Sequence, residues 1–125
     1  MNTDKLLTLI DLHNGLKTAY RHLAQRYRTA VNDAAKLSAE MTVEVDDLAE
    51  QIILKPIDEL AAMAAEELEA AGLAAGQIRR LVAARRLAAR LQSETEAQAE
   101  DLKQSQIVVD HLVEYARQRG EPVNL

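Results

Sequence analysis

Eleven positions spaced alternately three and four residues apart run from one end of the first third of this chain to the other. They are Leu6, Leu9, His13, Leu16, Tyr20, Leu23, Tyr27, Ala30, Ala34, Leu37 and Met41. A period of 3.5 held over five heptads puts one stripe on one side of an α-helix, and that stripe needs another helix to cover it. A second series, Ile78, Leu81, Ala84, Ala88, Leu91, Thr95, Gln98, Leu102, Ser105, Val109, Leu112 and Ala116, alternates in the same way from Leu81 onward, with polar residues in its middle. Two long helices sharing a seam are therefore expected. Leu9, Leu16, Tyr20, Leu23 and Tyr27 stand on one side of that seam, and Leu81, Leu91, Leu102 and Leu112 on the other.

Composition supports helices and little else. The chain is rich in Ala, Leu, Glu, Arg and Gln, with only four glycines and two prolines, a set of strong helix formers. Phe and Trp are absent, so the core must come from aliphatic side chains, and abundant alanine lets helix backbones approach closely.

Between the long helices the signals are mixed. Thr42–Asp46 is poor helix sequence and reads as a turn, a four-residue stutter in one continuous helix being the alternative. Asp47 with Glu50 three residues later resembles a capping box. Pro56 breaks or kinks the middle helix, because proline lacks an N–H and restricts the residue before it. Gly72 and Gly76 bracket a stop and restart, and Gly120 with Pro122 ends the last helix.

The expected fold is thus all-α. It is an elongated antiparallel helical bundle or coiled-coil hairpin of two long helices and an interrupted middle helix. Helices are expected over residues 4–41, 47–71 and 77–119 of a single domain, 1–125, with a loose tail at 120–125. At 1.5 Å per residue the long helices would measure roughly 57 and 63 Å. A compact chain of 125 residues has a radius of gyration near ~14 Å. A seam that long is expected to need a second chain, as a homodimer or hetero-assembly.

The sequence carries no motif for catalysis or metal binding. Without cysteine there is no disulfide, thiolate metal site or thiol nucleophile. A di-iron bundle needs Glu-x-x-His motifs, but Ile10, Ala19 and Val108 stand three residues before the histidines. His111-x-x-Glu114 is a lone reversed pair, and His13 reads as an amphipathic seam residue. Ser38, Ser93 and Ser105 lie in helical runs, and AGLAAG lacks the Lys-Ser/Thr of a phosphate loop. No enzyme activity, metal or cofactor is expected. No 18-residue apolar run or signal peptide is evident, so a cytoplasmic location off the membrane is expected.

One stretch resists a bland reading. Ile78–Arg90 carries Arg79, Arg80, Arg85, Arg86 and Arg90, five of the fifteen Lys and Arg in a chain of net charge -5. On a helical wheel Arg79, Arg86 and Arg90 fall together, opposite the seam, with Arg80 and Arg85 flanking them. They could be a solvated face, or pair with Glu66, Glu67 and Glu69 of the middle helix. They could also bind an acidic protein or phosphate, since guanidinium forks suit both. ELEAAGLAAGQIRRLV has the outline of a helix-turn-helix, but Leu68 stands where crossing helices need a small residue. In general build the chain resembles type III export chaperones and the small helical subunits of bacterial nucleoprotein complexes. The expected function is a non-catalytic helical protein–protein interaction module: an adaptor, chaperone or assembly subunit. The alternative is a small subunit that contacts nucleic acid through the arginines.

Overall fold

Helix α1, Thr3–Met41, follows the first heptad series, and α5, Ala75–Gln118, follows the second. Three short helices lie between them: α2 (Asp47–Ile53), α3 (Ile57–Ala62) and α4 (Ala65–Ala70). The computed structural model describes residues 3–120. The expected stop at Pro122 and the tail after Gly120 lie outside the described residues. No strand occurs among the described residues, and α1 packs against α5 in a helical hairpin bundle. The chain divides into two compact units whose borders fall inside α1 and α5. A terminal unit comprises Met1–Gln25 and Ser93–Leu125, and a central unit comprises Arg26–Gln92.

The central unit owes its shape to its turns. After Met41 the chain leaves the helix through a turn in which Glu44 takes a left-handed φ of 61°. The stutter alternative is thereby set aside. Asp46, extended at φ -79° and ψ 172°, caps α2 by accepting from the Ala49 N–H at 2.8 Å. The capping residue is therefore Asp46 and not Asp47, which is already helical. Half a capping box forms, because the third helical residue is Ala49 and offers no carboxylate in return.

Pro56 precedes α3, where its missing N–H costs nothing. A second break falls at Met63–Ala64, both extended, so the middle helix is three pieces. Nothing local demands that break, since alanine is the best helix former; Leu60, Met63 and Leu68 all pack into one core across it. Helix α4 then ends in a Schellman motif. Leu73 N–H donates to the Leu68 carbonyl and Gly72 N–H to that of Glu69, both at 2.9 Å, with Gly72 at φ 83°. Gly76, expected to mark the restart, lies inside the first turn of α5.

These turns wrap α2, α3 and α4 into one core with the end of α1 and the start of α5. Its buried members are Met41, Ala49, Ile52, Ile53, Leu60, Leu68, Leu73, Ile78, Leu81 and Val82, with Ile53 and Leu81 fully enclosed. Burying each such side chain contributes about 1.5–3 kcal/mol.

The terminal unit is plainer. Leu6 and Ile10 of α1 meet Val109, Val113 and Ala116 of α5 in a second, smaller cluster. Beyond it the seam turns polar. His13, only 3% exposed, sits between Ser105 Oγ (2.8 Å from Nδ1) and Gln106 Oε1 (2.7 Å from Nε2). Gln106 Nε2 donates to Asp110 Oδ1 at 2.7 Å, which points its carbonyl oxygen at the imidazole. That oxygen can only accept, so the His13 Nε2 carries a proton and donates. In the neutral ring Nδ1 accepts from the Ser105 hydroxyl. Just past the end of α5, Arg119 donates to Tyr115 Oη at 2.8 Å, and its guanidinium lies 5.4 Å from the ring centre.

Candidate interaction site

Most of the arginine cluster sits on the outer surface of the first half of α5. Arg79, Arg80, Arg86 and Arg90 are exposed. Arg85 differs: it is half-buried, its Nη2 lies 3.5 Å from Ser38 Oγ of α1, and burial holds its guanidinium below the ordinary arginine pKa. Arg85 therefore faces into the central unit and leaves the outward stripe. Glu66, Glu67 and Glu69 are exposed. Among the described residues none of them pairs with Arg79, Arg80 or Arg86, and no other described carboxylate does either. Neutralisation by the middle helix is thus removed as an account of them. Lys55 and Glu59, 3.9 Å apart and exposed, form a surface pair worth well under about 1 kcal/mol.

Beside two of these arginines the surface opens into a groove of about 330 Å³ within the central unit. Helix α5 supplies Ile78, Arg79, Val82, Ala83 and Arg86; α3, α4 and their connection supply Leu60, Ala61, Met63, Ala65 and Leu68. Core side chains form the floor, with Leu60, Leu68, Ile78 and Val82 all under 7% exposed. Alanines form low walls, and the Met63 side chain is half-buried. Cationic ends thus stand over an apolar bed.

The seam residues are distributed unevenly. Leu23, Leu81 and Leu91 are buried, while Leu9, Tyr20, Tyr27, Leu102 and Leu112 are half-buried. Leu16 is a correction: it is 41% exposed, at the edge of the contact. Its neighbours explain why. On α1, Leu9, Leu12 and Leu16 form a stripe just to one side of the seam, and on α5 Val108, Leu112 and Tyr115 do the same. Leu12 and Val108 each precede a seam-centre residue, His13 and Val109. In an antiparallel pair, equal rotational offsets bring both stripes to the same side of the hairpin. Leu12 is 61% exposed, Val108 52% and Tyr115 43%. The other side carries the polar residues Asn14, Arg21, Asp110 and Arg117, with Leu7 at 40% and, further round α5, Ile107 at 43% as its exposed large apolar residues.

Sequence patterning did not reveal the groove, because its lining comes from three segments joined by turns. The break at Met63 left no local signal. The partners of His13 were also missed, although Ser105 stood in the α5 series and Gln106 beside it. Among the described residues no three His, Asp or Glu are placed to hold a metal, and no helix is long and apolar enough to cross a membrane. The chain matches no family model, no curated protein and no solved structure.

Proposed function

We propose that the chain is a non-catalytic helical protein–protein interaction module, an adaptor, chaperone or assembly subunit that works by presenting helix faces. The observation that carries this reading is the exposed apolar stripe of the terminal hairpin, Leu12, Leu16, Val108 and Tyr115. Among the described residues the terminal unit has two helices and no third element over that side, and large apolar side chains grouped on one face mark an interaction surface. A second copy is the simplest occupant, since two such faces related by a two-fold axis close a four-helix bundle.

Sedimentation at micromolar concentration tests this. The wild type should run as a dimer or larger species. Leu12→Gln with Val108→Gln should shift it to monomer while helicity is kept, because both positions are exposed. A wild-type monomer under these conditions overturns self-association, as does a dimer that the double variant leaves intact.

The alternative use of the arginines, contact with nucleic acid, draws on the exposure of Arg79, Arg80 and Arg86. A net charge of -5 opposes it by repelling phosphate at long range.

A further inference from the structure

Arg79 and Arg86 are seven residues apart on α5, two helical turns. Their Cα atoms are therefore separated by roughly 10 Å along the axis and project from one side. No carboxylate among the described residues pairs with either. The groove at their feet, about 330 Å³, is at the lower end of the size range for ligand clefts, room for one or two anchoring side chains.

We propose that this groove docks an acidic amphipathic helix of a protein partner. The partner seats one large apolar side chain against Met63 and Val82, and sets two carboxylates seven residues apart on Arg79 and Arg86. Each guanidinium presents a fork that a carboxylate fills with two charge-assisted hydrogen bonds. Methionine has a flexible, polarisable side chain that adapts to an incoming apolar group. A nucleic acid backbone could meet the arginines but would bury nothing on the apolar floor. A fatty acid has one carboxylate and cannot satisfy two arginines at that spacing. The inference is independent of the hairpin face, and either can fail alone.

The experiment uses the intact protein and fluorescence anisotropy at low salt. The probe is a labelled helical peptide with a central Leu anchor and Glu at positions i and i+7; a control peptide has Gln at both. Labelled single- and double-stranded oligonucleotides complete the set. The acidic peptide should bind at micromolar concentration, about tenfold or more tighter than the Gln peptide. R79Q/R86Q should abolish that discrimination. Ala83→Leu, which fills the groove and keeps both arginines, should weaken the acidic peptide by a similar factor. All three positions are exposed, so the variants should melt with the wild type. Equal binding of the two peptides overturns the proposal, as does an acidic peptide indifferent to Ala83→Leu. Oligonucleotide binding tighter than that of the acidic peptide, and lost in R79Q/R86Q, assigns the arginines to nucleic acid and also overturns it.

Discussion

The central and terminal units are made from the same two long helices, yet they solve burial in different ways. The central unit folds α2, α3 and α4 over the ends of α1 and α5, so ten side chains are enclosed in one cluster. Among the described residues the terminal unit has two helices, five buried apolar residues in its cluster and a polar layer around His13. A helix pair can bury a single seam, and whatever lies beside that seam stays wet unless another layer arrives. That is why Leu12 and Val108 are exposed in one unit, while Ile53 and Leu81 are sealed in the other. The difference also divides the proposed roles: a grooved, enclosed core in the centre, and an open apolar hairpin at the termini.

Truncating one leucine in each unit tests the contrast in burial most directly. Leu81→Ala, at a fully enclosed site, should cost about 3–5 kcal/mol in denaturant unfolding. Leu23→Ala in the terminal unit, 8% exposed, should fall nearer ~2–3 kcal/mol. Equal losses would remove the contrast. A Leu23 loss below about 0.5 kcal/mol, the range of surface positions, would mean its register is misread.

Next in size is the polar layer. His13→Ala strands the Gln106 carbonyl oxygen and opens a gap, so it should cost roughly 1–3 kcal/mol. If the layer sets the pairing of α1 with α5, as single buried polar residues do in coiled coils, the variant should also loosen it. Amide exchange should then quicken in the terminal unit first. Uniform exchange across both units would argue against that role.

Two changes should stabilise. Gln98 lies half-buried in the α5 series, and its Oε1 has no hydrogen-bond partner among the described residues. Gln98→Leu should raise stability by about 1 kcal/mol, the lower end of the cost of an unmet buried acceptor. A loss instead would show that the amide contributes through its other atoms. The smallest effect belongs to the central unit. Glu44 holds a left-handed φ of 61° that glycine adopts without strain. Glu44→Gly should gain up to about 1 kcal/mol in thermal melts, reduced by the extra freedom of glycine in the unfolded chain.

The helical frame is written in the order of residues along the chain. Heptad spacing located α1 and α5 and brought nearly every seam position at least half out of water, because a 3.5-residue period records which face a helix hides. The signals at Pro56 and Gly72 were legible for a related reason: proline's missing N–H and glycine's freedom at positive φ are properties of single residues. Leu16 shows where periodicity stops. It satisfies the spacing, but a pattern cannot say whether a partner helix reaches the flank of a stripe or only its centre. The break at Met63, the inward turn of Arg85 and the groove were decided by tertiary structure alone. Each depends on which surfaces meet after the chain has turned, and the alanines around Met63 carry no local preference for a break. Five arginines in a row of helix turns read the same whether they face water, a neighbour or a groove. Only the packing of α3 and α4 against α5 separates Arg79 and Arg86, at the groove, from Arg85, turned toward Ser38.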